Sequence, residues 1–140
     1  MPDPKPRILC SEDDPDSREM ICLLLKKEGF ETVCPDEPQD VVNTAQEQKV
    51  DAFLLDNWMP GVSGVELCRR IREFDPNTPI IFFSGAASQG DIDQALAAGA
   101  QAYITKPADF EDVVDAIRSA ISPHKNRALP EILTGKSSLE

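Results

Sequence analysis

Five residues with chemistry in them stand at the ends of short apolar runs. Asp56 follows Phe53-Leu54-Leu55 and precedes a Met59-Pro60-Gly61 turn. Glu12 and Asp13 come just after Ile8-Leu9-Cys10, Ser84 closes Ile80-Ile81-Phe82-Phe83, and Lys106 comes just after Ala102-Tyr103-Ile104-Thr105. A buried strand that ends on a polar residue and then turns delivers that residue to the rim of a sheet. Three carboxylates gathered on one rim repel one another, and each has a raised pKa unless a cation joins them. A hard divalent ion with oxygen ligands, Mg²⁺ or Mn²⁺, removes that penalty. Lys106 adds a compact positive charge suited to a phosphoryl oxygen or to Asp56, and Ser84 adds a hydroxyl donor. The set suits phosphoryl transfer with Asp56 as the nucleophile. Taken singly the parts are weak: an acidic pair before a helix is commonly a cap, Lys-Pro a turn, and a strand-end serine polar surface. The conjunction carries the weight.

The elements that must position these residues alternate. Strands are expected at residues 7–11, 31–34, 52–55, 79–84 and 102–105. Between them lie helices from Pro15 to about Glu28, Pro38 to about Gln48, Gly64 to about Phe74 and Gln89 to Ala98; a fifth, capped by Asp109, ends near Ile121. Asp14 caps the first helix ahead of Pro15, and Gly29 ends it in the left-handed region. Its apolar stripe is read as Met20, Ile21, Leu24 and Leu25. The second helix turns Val41, Val42 and Ala45 inward, and the third Val65, Leu67, Cys68 and Ile71. Strand–helix alternation means right-handed crossovers: an α/β, doubly wound, five-stranded parallel sheet with five flanking helices. Ligands of such sheets sit outside the carboxyl ends of the strands, where strand order reverses. Residues 1–6 read as a flexible lead-in, 7–121 as the domain, and 122–140 as a tail or the start of a linker.

Composition bounds the partners. The 140 residues are 41% hydrophobic and 28% charged, with a net charge of -11. That balance disfavours direct nucleic-acid binding by this chain, which needs clustered Lys and Arg. No apolar stretch approaches membrane-spanning length and Met1 to Arg7 lacks the apolar segment of a signal peptide, so the expected setting is the cytoplasm. Cys10, Cys22, Cys34 and Cys68 form no Cys-x-x-Cys pair and are read as core thiols, without zinc or disulfide.

With these motifs in place, from about Pro6 to Ile121, the chain resembles the receiver domain of two-component response regulators, the CheY-like, flavodoxin-like fold. The resemblance rests on Ile-Leu-Cys-Ser-Glu-Asp-Asp-Pro-Asp, Leu-Leu-Asp-Asn-Trp-Met-Pro-Gly, Ile-Ile-Phe-Phe-Ser-Gly-Ala and Tyr-Ile-Thr-Lys-Pro. It implies that Asp56 is the phosphoacceptor. Asp13 is then a direct metal ligand, Glu12 a ligand through water, and the Trp58 backbone carbonyl the remaining protein ligand. Ser84 is the switch hydroxyl, Lys106 its phosphoryl-pairing lysine, and Tyr103 the switch aromatic that moves inward. The implied donor is a sensor histidine kinase or histidine phosphotransfer protein. The implied readout is an effector, or a second copy, on the face of helix four, strand five and helix five.

Departures from the family pattern are informative. Ser63 replaces a frequent Asp in the Met-Pro-x-x-Asp-Gly turn, with little effect expected. Trp58 is bulky for its place, and with the small Ala86 opposite it is expected to restrict attacking water. Equal dephosphorylation of the native chain and Trp58→Asn would remove that idea. Cys22 and Leu23 fall outside the first helix's stripe and could widen a kinase-docking surface. Two rivals are an aspartyl-phosphate phosphatase-like enzyme, which typically has a second Asp where Trp58 stands, and a constitutive receiver-like binding module, which would require a broken acidic set. A receiver promotes its own phosphorylation and dephosphorylation and is not a turnover enzyme on an external substrate.

Overall fold

The computed structural model describes residues 5–57, 61–121 and 132–133. In chain order come β1 (Arg7–Ser11), α1 (Pro15–Lys27), β2 (Glu31–Val33), α2 (Asp40–Glu47), β3 (Ala52–Leu55), α3 (Gly64–Phe74), β4 (Ile80–Ser84), α4 (Gln89–Ala98), β5 (Ala102–Thr105), α5 (Phe110–Ile121) and β6 (Ile132–Leu133). The sheet order is β2-β1-β3-β4-β5-β6, with every adjacent pair parallel. The chain leaves β1 to one side for β2 and to the other for β3, so the direction of winding reverses between β1 and β3. That crevice is where a sheet of this kind binds ligands.

Strand period two sorts the core into two layers. Leu9, Phe53, Leu55, Ile80, Phe82 and Tyr103 face α2, α3 and α4. Ile8, Cys10, Ala52, Leu54, Ile81 and Ile104 face α1 and α5. Strands covered on both faces must be apolar at nearly every position, which is why β3 and β4 read as unbroken hydrophobic runs. The helix ends are chemically marked. Asp14 accepts from the Ser17 amide at 2.9 Å with Pro15 next, and Ser63 accepts from the Glu66 amide at 3.1 Å. Ser88 and Asp91 cap α4 reciprocally. Ser63 thus places a side-chain oxygen on an orphan amide at the start of α3. Gly29 closes the first helix with φ +95°.

The structure modifies the sequence reading in four places. Met20 is not in the core: it is 58% exposed, while Ile21 and Leu25 are buried. At 3.6 residues per turn a stripe four residues wide exceeds what this helix can bury, and its edge residue faces water. The α2 helix starts at Asp40, because Pro38 and Gln39 form a turn before it. The stretch read as a tail contributes β6, whose pairing of Ile132 with Tyr103 and Leu133 with Ile104 adds a sixth strand beside the expected five. Two residues are too short to show a period, so no pattern announced them. Finally, Cys22 and Cys34 are joined in a disulfide, whereas Cys10 and Cys68 are buried free thiols. The tight return at Gly29 lays the exit of β2 alongside α1, a proximity that spacing along the chain does not display.

Candidate active site on the β1, β3, β4 and β5 rim

Register builds the site. Ser11 pairs with Leu55, so the next residues, Glu12 and Asp56, emerge side by side; the Asp56 amide donates to the Ser11 carbonyl at 3.1 Å. Ser84 pairs with Thr105, so Lys106 emerges beside it, its amide donating to the Ser84 carbonyl at 3.0 Å. The parallel sheet therefore brings Glu12, Asp13, Asp56, Ser84 and Lys106 to one rim. One carboxylate oxygen from each of Glu12, Asp13 and Asp56 lies within 4.8 Å of the other two. The three are oxygen donors only, which suits a hard divalent cation.

Lys106 Nζ stands 3.1 Å from Glu12 Oε1 and 3.3 Å from Asp56 Oδ2, and 5.1 Å from the centre of the Phe83 ring. One ammonium against three carboxylates leaves the site short of positive charge. Burial pushes the Glu12 carboxyl above its usual range; Lys106 opposes this, and Asp56 adds to it. Burial pulls the Lys106 ammonium down, but Asp56 and Glu12 together outweigh it and its pKa is raised. A second cation among the three carboxylates would offset both the burial of Glu12 and its repulsion from Asp56.

The other side of the rim is neutral. Ser84 is fully buried, and its Oγ accepts from the Ala86 amide at 3.1 Å. Tyr103 is also fully buried; its ring stacks on Phe82 with centroids 5.3 Å apart, and its hydroxyl donates to the Ala86 carbonyl. Burial raises the Tyr103 pKa against hydrogen bonds with Asn57 and Ser84. Ala86 was singled out in the sequence for its small side chain. In the fold its backbone is what engages, with its N–H on Ser84 and its C=O on Tyr103.

Two residues have roles at the site that the sequence did not display. Asn57 is buried, accepts from the Val65 amide at 3.2 Å and bonds Tyr103, so it ties the Asp56 loop to α3 and to the hydroxyl cluster. A polar residue directly after a buried strand was the available signal. Gly64 is the other: a Cβ there would stand 2.5 Å from the Asp56 carbonyl oxygen and 2.8 Å from Phe82 Cε2. Only glycine lets α3 start this close to the acid. Trp58, expected to lend a carbonyl to the metal and to screen the entrance, lies outside the described residues.

Beside Lys106 an open groove of about 720 Å³ runs between α1 and the β5–α5 connection, lined by Met20, Leu24, Phe83, Pro107 and Phe110. Leu23 is 59% exposed, as its place outside the stripe suggested, but it does not line this groove. Cys22, the other residue of that expected surface, is engaged by Cys34.

Residues 8–118 match the family described as the response regulator receiver domain. The chain is 33% identical over 129 residues to the cell cycle transcriptional regulator CtrA of Caulobacter vibrioides, covering 92% of this chain and 56% of that protein. It is 28% identical over 134 residues to the DNA-binding response regulator MtrA of Mycolicibacterium smegmatis, covering 96% of this chain and 58% of that one. It thus spans little more than half the length of these curated relatives. Among solved structures, the receiver domain of the Pseudomonas aeruginosa sensor histidine kinase PA1611, with a magnesium ion coordinated in its active-site cleft, superposes with a TM-score of 0.77 at 28% identity. That match covers 84% of this chain and 98% of the other. A receiver domain protein from Clostridium thermocellum superposes with a TM-score of 0.80 at 26% identity, covering 86% and 97%.

Proposed function

This chain belongs to the response regulator receiver domain family, and from that premise we propose that Asp56 accepts a phosphoryl group from a phosphohistidine with Mg²⁺ at the acidic cluster. The observation that carries the reading is the convergence of Glu12, Asp13 and Asp56, with Lys106 bridging the first and the last. In the transfer, an Asp56 carboxylate oxygen bonds to phosphorus while the P–N bond breaks and the imidazole keeps its electron pair. Glu12, Asp13 and Asp56 would hold the ion, Asp13 directly and Glu12 through water, with Mn²⁺ an alternative occupant. The ion supplies charge neutralisation for the carboxylates and the phosphoryl oxygens. Lys106 would pair with a phosphoryl oxygen on Asp56, and Ser84, one strand over, would donate to another. The acyl phosphate would then bias the Ser84–Ala86–Tyr103 cluster, and with it the face of α4, β5 and α5. An effector or a second copy reads that face.

The phosphohistidine-bearing protein fits the groove between α1 and the β5–α5 connection, because Lys106 lines that groove and also touches Asp56. Exposed Met20 and half-buried Leu24 give the donor an apolar seat in the groove that Lys106 also lines. A phosphatase of external esters is disfavoured by the absence of a second Asp two residues after Asp56, where Trp58 stands. The cytoplasm is the compartment in which such a donor works; among the described residues no helix is long and apolar enough to cross a membrane.

The test is labelling with a small acyl phosphate donor, read as a phosphate-dependent gel shift. The native chain labels with Mg²⁺ and fails to label in chelator, and Asp56→Asn does not label. Labelling of Asp56→Asn at the native rate would overturn the assignment. Turnover of a phosphate ester would revive the enzyme reading.

A further inference from the structure

We propose that the Cys22–Cys34 disulfide is a reversible redox site, and that its state is transmitted to the acidic pair by Arg18. The part of this concerning metal affinity rests on the Mg²⁺ reading above.

The geometry places two links between α1 and the segment after β2, one helical turn apart. Cys22 is joined covalently to Cys34. Arg18, four residues earlier and therefore on the same face of α1, pairs with Asp36, two residues past Cys34, at 3.7 Å. The same guanidinium holds the site: Arg18 Nη1 donates to the Glu12 carbonyl at 3.1 Å and to the Asp36 carbonyl at 3.4 Å. Its side chain is only 17% exposed, while that of Asp36 is 87% exposed. A largely buried guanidinium keeps its position only while its acceptors stay put. The ionic link to an exposed carboxylate is weak and screened, so the covalent link is what fixes the 34–36 segment. When the disulfide opens, that segment gains freedom, Arg18 loses two of its acceptors, and its hold on the Glu12 carbonyl slackens. Glu12 and Asp13 then present their carboxylates with less preorganisation.

The four cysteines divide cleanly. Cys10 and Cys68 are buried, and burial pushes their thiols up to about 12 and about 11, so neither forms the reactive thiolate near neutral pH. Cys22 and Cys34 are only half-buried. Disulfides reachable from solvent are the ones that exchange. Reduction by a dithiol balances as thiol–disulfide exchange. A reductant thiolate attacks one sulfur, the other leaves as a thiolate, and the second reductant thiol releases the first. Cys22 and Cys34 end as two thiols and the reductant as a disulfide. Reoxidation by a disulfide such as oxidised glutathione reverses each step.

The experiment has two arms. First, alkylation and mass spectrometry of the denatured, unreduced chain should modify Cys10 and Cys68 only, and after dithiothreitol all four; alkylation of Cys22 and Cys34 without reductant overturns the proposal. Second, Mg²⁺ affinity is measured calorimetrically on the intact chain, oxidised and reduced. Loss of an outer partner of a metal ligand typically weakens binding by about 10- to 100-fold, so reduction is expected to weaken it by about threefold to tenfold. The double variant Cys22→Ser with Cys34→Ser should match the reduced chain and ignore dithiothreitol. Arg18→Ala should bind Mg²⁺ more weakly and also ignore dithiothreitol, and Arg18→Lys should recover part of both. Equal affinity in the two redox states, or an Arg18→Ala chain that still responds to dithiothreitol, overturns the coupling while leaving the metal reading intact. Absence of Mg²⁺ binding in both states overturns both.

Discussion

The two halves of the rim are held in opposite ways. On the β1 and β3 side, Glu12, Asp13 and Asp56 face one another with Lys106 between, and the arrangement is short of positive charge. On the β4 and β5 side, Ser84, Ala86 and Tyr103, joined by Asn57 from the end of β3, close a neutral hydrogen-bonded cluster. Among the described residues no buried side-chain nitrogen or oxygen lacks a partner. The difference is one of charge: one half gathers carboxylates, while the other has its polar groups paired. A carboxylate cluster gains a cation and loses its repulsion. A satisfied hydroxyl cluster takes a new partner only by exchanging one hydrogen bond for another, the exchange proposed above for Ser84.

The sharpest way to break the comparison is Lys106→Ala. It removes the cation that touches both Glu12 and Asp56, so phosphoryl labelling should fall about 100-fold, as for loss of one preorganised charge partner. Mg²⁺ affinity should not fall, because the carboxylates lose a competing positive charge. A parallel loss of both would mean that Lys106 builds the carboxylate cluster instead of serving the phosphoryl group. Next in size is Gly64→Ala. Its Cβ meets backbone and ring atoms at 2.5 and 2.8 Å, and overpacking of this kind costs about 1–3 kcal/mol. Urea denaturation measures it; an unchanged midpoint would show that the start of α3 can back away from Asp56. Tyr103→Phe keeps the stacked ring and removes one hydroxyl, a loss of about 1 kcal/mol. It should leave labelling of Asp56 unchanged while altering readout by the α4–β5–α5 face. A drop in labelling would make the Tyr103 hydroxyl part of the transfer step.

The smallest effect lies away from the rim and serves as its control. At Asp75, burial acts to raise the carboxyl. Hydrogen bonds from the Thr78 hydroxyl and the Thr78 and Asn77 amides, with Arg72 nearby, together outweigh it and bring the pKa below its ordinary 3.8. A depressed folded pKa contributes stability that is complete above 3.8 and is lost as pH falls through the folded value. Asp75→Asn should therefore flatten the acid limb of the stability profile slightly and leave Mg²⁺ binding untouched. An unchanged acid limb would show that these hydrogen bonds carry no net linkage.

Legibility differed by residue, for physical reasons. The alternating elements and the rim acids were readable because a parallel strand buried on both faces is a continuous apolar run, and what ends it is conspicuous. Met20 was misplaced because periodicity tells which residues share a face, not how wide a stripe the neighbours cover. The site roles of Gly64 and Asn57 went unread because they are contacts across the chain, one steric and one hydrogen-bonded.

What the sequence alone determined is the order of strands and helices, the two-layer core and the kinds of group that reach the sheet's carboxyl ends, since all follow from local pattern and strand polarity. Only the tertiary structure decided which groups touch. It decided that Lys106 bridges Glu12 and Asp56, that the Ala86 backbone joins Ser84 to Tyr103, and that Cys22 meets Cys34. Those are distances between segments far apart in the chain or folded back on each other, and the register and packing that set them are written in no single stretch of residues.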